Sequence, residues 1–194
     1  MNYLVLGITG KRGCGKDTVA QHLKKKYGFH VLVYTDDVLA PILRAQGKQV
    51  TRENLIRLAT ELRNQDGPAA LTEMISERIT SEGFWCISGV RLPEEVEFLR
   101  GFYGQVFKLM NVNCDDRKRY ERVRSRGTKG EANITYEEFT ETDKRVTEAP
   151  IAETGKLADF EVENNGTKEE LNRHLDRIMD EIKSAESEDL GLDE

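Results

Sequence analysis

Long apolar runs are missing from this chain of 194 residues. No stretch approaches the ~20 consecutive apolar residues that a bilayer-crossing helix needs. The run Tyr3 to Ile8 has no basic segment before it, so it does not read as a signal peptide. Cysteine is scarce too. Cys14, Cys86 and Cys114 are odd in number and far apart, with no CxxC pair and no plausible zinc set, which fits a reducing compartment. Internal repeats and low-complexity linkers are absent, and His22, His30 and His174 lack a partner pattern. What is there is ordinary for a globular chain: 38% apolar residues, 16 glycines, and charged residues at 33% to solvate the surface. These features predict a cytoplasmic chain with no membrane contact and one domain over about residues 1–184.

The net charge of −6 is mostly a matter of one end. Residues 185–194 hold five acids (Glu186, Glu188, Asp189, Asp193, Glu194) and no base, so the body is nearly neutral. Such a segment reads as a solvated, disordered tail, and cutting the chain after Ser184 is expected to leave activity unchanged.

Short apolar runs alternate with longer amphipathic segments. Tyr3–Thr9, Phe29–Tyr34, Phe84–Ser88, Val106–Val112 and Phe160–Glu163 read as strands, mostly of the continuous apolar kind that is buried on both faces. Helical patterns cover Lys16–Tyr27, Asp37–Gln46, Arg52–Arg63, Ala69–Ser81, Pro93–Arg100 and Asp115–Arg126. Two more helices open on capping boxes, Thr135-x-x-Glu138 and Thr167-x-x-Glu170. Strands separated by helices call for a parallel sheet covered on both faces, a three-layer α/β/α architecture.

The strongest chemical signal is Gly10-Lys11-Arg12-Gly13-Cys14-Gly15-Lys16-Asp17-Thr18, between the first strand and the first helix. It fits G-x-x-x-x-G-K, a loop whose backbone N–H groups converge on phosphate oxygens beside the positive end of a helix. Lys16 supplies a mobile charge for the β- and γ-phosphates. Asp17 stands where a metal-ligating hydroxyl is usual; it either contacts Mg²⁺ or simply favours the first helical turn. Thr18 is a candidate α-phosphate contact. No Asn-Lys-x-Asp segment of the kind that reads guanine is present.

Between Arg117 and Lys129, seven bases face one acid, Glu121. At about 100° per residue, Arg119, Arg122 and Arg126 fall within about 60° of one another. With the Gly/Lys loop Gly127–Asn133 after them, they suit the clamping of a transferring phosphoryl group. A solvated basic face is the plainer reading. A nucleic-acid patch lacks aromatic interleaving and a basic body to support it.

On the acceptor side, Asp36 and Asp37 follow the second strand, at the edge of an open α/β sheet that faces ligand. One can cap a helix while the other orients an acceptor or holds Mg²⁺ through water. Arg44, Arg63 and Arg91 are candidates for an acceptor phosphate, each against the alternative of a surface ion pair. Ser88 ends a strand where many P-loop proteins carry an acid that orients Mg²⁺.

The loop with Gly15-Lys16-Asp17-Thr18 resembles that of deoxynucleoside monophosphate kinases. Gly28–Val31 through Asp37-Val38-Leu39-Ala40 looks like the dephospho-CoA kinase segment that ends in Asp-x-x-Ala. Ser88-Gly89-Val90-Arg91-x-x-Glu94-Glu95-Val96-Glu97, Arg119-Tyr120-Glu121-Arg122-x-x-x-Arg126-Gly127, and Ala158-Asp159 to Asn165-Gly166-Thr167 are similar to archaeal dephospho-CoA-kinase-like proteins. The resemblance runs over about residues 3–182. It implies a P-loop NTPase core, acceptor-binding helices over about 36–82 and an arginine-bearing lid over about 117–147, with adenine near Asn165 and Gly166. Ser88 and Asp17 depart from the family pattern.

The expected activity is ATP- and Mg²⁺-dependent phosphoryl transfer to a small-molecule acceptor, a (deoxy)nucleoside monophosphate. Dephospho-CoA and a nucleotide-binding regulator or slow NTPase are the alternatives. Lys16, Asp37, Arg122 and Arg126 are the expected catalytic residues. Gly10, Gly13, Cys14, Gly15, Lys16, Asp17, Thr18, Arg119, Asn165 and Gly166 are expected at the nucleotide. Asp36, Asp37, Arg44, Arg63 and Arg91 are expected at the acceptor, and Asp17 with Asp36 at the metal. Composition does not decide between monomer and homo-oligomer.

Overall fold

A computed structural model describes residues 3–127, 132–143 and 150–189, apart from the side chains of 142 and 186–189. Lys129, the lid stretches 128–131 and 144–147, and the acidic side chains expected to form the tail lie outside the described residues. Five parallel strands form one sheet in the order β2-β3-β1-β4-β5: β1 Leu4–Thr9, β2 His30–Val33, β3 Phe84–Ser88, β4 Phe107–Asn113 and β5 Phe160–Glu163. The three-layer reading holds. All six residues of β1 are buried because it lies at the centre, with β3 on one side and β4 on the other.

Alternation along β1 divides the core. Leu4, Leu6 and Ile8 point to the face covered by α1 (Lys16–Tyr27) and α9 (Lys168–Asp189), where Val19, Leu23, Leu175 and Met179 meet them. Val5 points to the other face, with Ile87 and Leu109, under α3 (Arg52–Asp66), α4 (Ala70–Ser76) and α5 (Pro93–Tyr103). Gly7 shares that second face because a Cβ there would meet the Phe107 ring at 3.0 Å. A third, small cluster of Tyr120, Val123 and Phe139 joins α6 (Asp116–Arg126) to α7 (Tyr136–Asp143). Among the described residues, no helix is long and apolar enough to cross a membrane.

The capping boxes form as the sequence implies: Thr135 with Glu138 and Thr167 with Glu170 exchange reciprocal side-chain-to-backbone hydrogen bonds. Three departures have local causes. The single helix expected over Asp37–Gln46 is instead a π-helical segment, Tyr34–Leu39, leading into α2 (Ala40–Ala45). Asp37 accepts a 2.6 Å hydrogen bond from the Val33 N–H, which starts the turn earlier, and Pro41 brings no N–H to tighten it. The helix expected over Ala69–Ser81 ends at Ser76, and the Trp85 indole takes the Ser81 carbonyl at 3.1 Å. The short helix α8 (Ile151–Gly155) went unread; its Thr154 hydroxyl donates to Arg91 O at 2.7 Å and ties it beneath the β3–α5 loop.

The α1–α9 contact carries a pH signature. Asp176 lies 2.8 Å from His22 Nε2, accepts from Tyr27 OH at 2.8 Å, and pairs with Lys26 at 2.7 Å. Burial works against the charge, but the bonds from Lys26, His22 and Tyr27 outweigh it and hold the carboxyl at about 2. A depressed carboxylate stabilises the fold fully above its unfolded value of about 3.9 and ceases to as pH falls through the folded value. Asp176→Asn is therefore expected to melt below the wild type at pH 7, with the two melting temperatures converging as pH drops from about 4 to about 2. An unchanging gap across that window would remove Asp176 from the acid response.

Candidate active site

The phosphate loop sits at the carboxyl end of β1, beside the point where strand order reverses. Its glycines are fixed by both conformation and space. Gly10, Gly13 and Gly15 have φ of 137°, 80° and 107°, where L side chains are strained. A Cβ at Gly10 would lie 2.4 Å from Val112 O, one at Gly13 2.7 Å from Arg119 O, and one at Gly15 2.1 Å from Asn164 Nδ2. The loop is thus wedged between β4, α6 and the turn after β5. Gly13→Ala and Gly15→Ala should each lose roughly 1–3 kcal/mol in a urea melt. Gly101→Ala, in the open part of α5, should be neutral or gain up to about 1 kcal/mol. Equal effects at all three positions would contradict the wedge.

Lys16 folds back over the loop, donating to Gly10 O and, at 3.2 Å, to Lys11 O. Just before the loop, Thr9 Oγ1 is buried without a hydrogen-bond partner among the described residues. Asp17 is exposed and lies 3.8 Å from Arg126, a pair that contributes little to stability.

A cavity of about 580 Å³ opens in front of this loop. Gly13, Gly15, Lys16, Asp17 and Thr18 line one side; Arg122 and Arg126 of α6 close over it. The far side is made by Tyr34, Thr35 and Leu39 of the π-helical segment, Leu55 and Ile56 of α3, and Leu71 of α4, with Arg63 and Arg91 among them. Tyr34 OH shares a 3.0 Å hydrogen bond with Thr72 Oγ1. Burial, reinforced by the Glu95 charge, raises the Tyr34 phenol well above its ordinary value.

The expected residues divide. Gly13, Gly15, Lys16, Asp17, Thr18, Arg63, Arg91, Arg122 and Arg126 come together in this cavity. Gly10 and Cys14 shape the loop from behind, the Cys14 thiol being buried. Arg44 does not join them: it is exposed on α2. Asp36 is exposed and Asp37 is committed to the Val33 N–H; neither lines the cavity, so the helix-start role is the one the geometry gives Asp37. Asn165 and Gly166 also stand outside the lining. Asn165 accepts from Asp115 N at 2.8 Å and from Lys118, and Gly166 lies against Glu170.

The three-arginine face is split. Arg119 is 1% exposed; it donates to Asp116 and Asp143 and, at 2.9 Å, to Arg12 O in the phosphate loop. Burial opposes its charge, but the bonds to Asp143 and Asp116 prevail and raise it above the ordinary arginine value. The same contact with Arg119 pulls Asp116 below the usual carboxylate range. Helical spacing placed Arg119 beside Arg122, but a helix face cannot reveal that two carboxylates meet one of its members in the interior.

Sequence reading missed Arg12, Arg52 and Tyr34 in the cavity wall. It also missed Asn164, whose buried amide donates to Cys14 O at 2.7 Å and whose carbonyl accepts from Arg122 at 2.9 Å. Asn164 directly precedes the Asn165-Gly166 pair singled out in the sequence, which was the available signal.

Comparison with known proteins places the chain. The AAA_18 family model, described as an AAA domain, matches residues 6–145. A UPF0200 protein of Methanocaldococcus jannaschii is 31% identical over 183 residues, covering 92% of this chain and 90% of that one. A UPF0200/UPF0201 protein of Archaeoglobus fulgidus is 31% identical over 179 residues, and the match spans 54% of that longer protein. Among solved structures, a gluconokinase from Sinorhizobium meliloti superposes with TM-score 0.59 at 15% identity, over 94% of this chain and 97% of the other. A shikimate kinase from Bacteroides thetaiotaomicron does so with TM-score 0.56 at 15% identity, over 93% and 98%. These likenesses establish a P-loop kinase-like fold. The chain belongs to the AAA_18 family and to the UPF0200 family.

Proposed function

We propose that the chain is an ATP- and Mg²⁺-dependent kinase that moves the γ-phosphate onto a nucleoside or deoxynucleoside monophosphate. The observation that carries this reading is the single cavity onto which the phosphate loop and the acceptor-side arginines Arg63 and Arg91 both open. Phosphoryl transfer is mostly positioning and charge compensation. Lys16 and the loop amides hold the β- and γ-phosphates once the ammonium leaves the Gly10 and Lys11 carbonyls. Arg122 and Arg126 balance charge on the transferring group.

The choice of acceptor rests on what faces it. A hydroxyl acceptor such as that of dephospho-CoA calls for a positioned base, whereas a phosphate acceptor is already an oxyanion at neutral pH. Among the described residues, Asp17 is the only carboxylate lining the cavity, and it lies on the phosphate-loop side. The apolar wall of Leu39, Leu55 and Ile56 suits the flat body of a base. Mg²⁺ fits the hard oxygen donors in the first turn of α1, the Asp17 carboxylate and Thr18 hydroxyl, with phosphate oxygens and water completing its shell. When bound, it would supply positive charge that offsets the charge of the phosphates. Asp36, outside the cavity, has no part in this arrangement.

A coupled ADP-release assay with ATP and Mg²⁺ tests the proposal against ribo- and deoxynucleoside monophosphates, shikimate, gluconate and dephospho-CoA. Stimulation by a monophosphate supports it. Stimulation by a hydroxyl acceptor alone, or ATP binding with no stimulation by any acceptor, moves the assignment to the corresponding kinase or to a nucleotide-binding regulator.

A further inference from the structure

The motif Ser88-Gly89-Val90-Arg91-x-x-Glu94-Glu95 contains one residue whose burial the phosphate-loop chemistry leaves unexplained. Glu95 is 0% exposed. Its Oε1 accepts from Arg63 Nη2 at 2.8 Å, and its Oε2 accepts from the backbone N–H groups of Arg91 at 2.8 Å and Leu92 at 3.3 Å. One carboxylate on α5 thus fixes Arg63 of α3 and the turn that carries Arg91, two arginines that line the acceptor side of the cavity. Apolar residues at both Glu95 and Arg63 would serve stability at least as well as the pair, whereas removing the carboxylate alone would strand Arg63 and the two backbone N–H groups. Arg63 also keeps a loose end. Its Nε–H is buried with no hydrogen-bond partner among the described residues, although its side chain reaches the cavity. A buried donor left unmade is costly and points to an acceptor that arrives with a ligand.

We propose that Glu95 is a positioning residue that aims Arg63 and Arg91 at an oxyanion of the acceptor, giving up anion affinity to fix its orientation. This rests on the acceptor reading above. The shared ligand chemistry is a small oxyanion, borne by a phosphate monoester or by a carboxylate. A phosphate monoester is the member of that class that agrees with an acceptor needing no base.

The carboxylate has two opposed effects. Its negative charge weakens any anion held by Arg63, while its three accepted bonds fix the geometry. Glutamine cannot replace it, because one of the two donor sets would then face an amide N–H₂. In Glu95→Gln, Arg63 loses its counter-charge whichever way the amide turns, so its whole charge acts on the cavity while its aim loosens. Anion binding should tighten about tenfold, and transfer to the acceptor should slow at least tenfold. A purely structural residue gives no such pairing of opposite signs. Arg63→Lys keeps the buried carboxylate paired and removes the Nε–H, so it tests the same point in a chain that folds; anion affinity should fall about tenfold.

The readout is the ¹⁵N–¹H resonance of Arg63 Nε in the full chain, titrated separately with inorganic phosphate, AMP and acetate. Amide shifts of Gly13 and Gly15 report phosphate-loop binding in the same spectra. The proposal expects the Arg63 signal to move with phosphate and AMP more than with acetate, and at lower ligand concentration in Glu95→Gln; in Arg63→Lys, which has no such signal, the Nε resonance of Arg91 in the same lining reports the weaker binding. Preference for acetate would reassign the oxyanion to a carboxylate and overturn the phosphate-ester choice. An Arg63 signal that ignores all three, or variants that bind as the wild type does, would overturn the proposal while phosphate-loop shifts with ATP leave the nucleotide reading standing. A responding Arg63 in a chain that transfers phosphate to no acceptor would support the oxyanion site and defeat the kinase reading.

Discussion

Lys16→Ala is expected to reduce phosphoryl transfer roughly 10³-fold or more, with the melting temperature nearly unchanged. The loop's shape does not depend on this side chain. The glycine conformations set it, together with backbone bonds from Cys14 N to Lys11 O and from Val19 N to Gly15 O. Lys16 makes its contacts with carbonyls of its own loop and so is not what ties the loop to neighbouring elements. On the proposed reading, what disappears is the ammonium that would meet the β- and γ-phosphates. Calorimetric titration with ATP and Mg²⁺, run beside a thermal melt, separates the two effects. A variant that keeps both binding and transfer would remove the loop from the mechanism.

Arg119→Ala is expected to do the reverse, and this separates a clamp from a strut. The guanidinium joins Asp116 and Asp143 to the Arg12 carbonyl and lies over the Phe139 ring at 5.1 Å. Deleting it leaves Asp143, only 12% exposed, without its main counter-charge. Breaking a buried pair in this way typically costs about 3–5 kcal/mol. At about 2–4 °C per kcal/mol for a chain of this size, the melting temperature should fall by roughly 10 °C. Arg12 also donates to Phe139 O at 3.4 Å, so the loss loosens α7 from the phosphate loop. A urea melt of Arg119→Ala beside Arg126→Ala is the check. Arg126 is 46% exposed, and its loss should leave stability within about 0.5 kcal/mol while lowering transfer. If Arg119→Ala instead melts like the wild type and raises only the KM for ATP, then Arg119 contacts the nucleotide.

Local rules read much of the fold from the sequence because local rules govern it. The continuous apolar run in β1 announces a strand buried on both faces, and Thr135-x-x-Glu138 and Thr167-x-x-Glu170 announce helix starts; each signal lies within a few residues of its effect. The phosphate loop belongs to the same class, since its glycines answer to backbone geometry. The misread positions depend on distant partners. Arg119 and Arg122 share a helix face, yet Asp143, twenty-four residues beyond Arg119, draws one inward, and the Asn164 carbonyl holds the other at the cavity. Asp37 is the local exception: it reads as an acceptor-side carboxylate until the Val33 N–H, four residues back, claims it at 2.6 Å. Arg44 lies on a helix whose outward face sequence periodicity could not orient relative to the cavity. Glu95 was visible within its motif, but its pairing with Arg63 spans α3 and α5 and required the folded chain.

The central claim is that this chain joins the γ-phosphate of ATP to the phosphate of a nucleoside monophosphate. ³¹P NMR of the full chain with ATP, Mg²⁺ and an equimolar set of ribo- and deoxynucleoside monophosphates tests it directly. The account predicts that the γ-phosphorus signal of ATP and a monophosphate signal decline together while two nucleoside diphosphates form for each ATP consumed, with inorganic phosphate near its starting level. Growth of inorganic phosphate with ADP and undiminished monophosphate signals would contradict it, showing that water, not a monophosphate, receives the group.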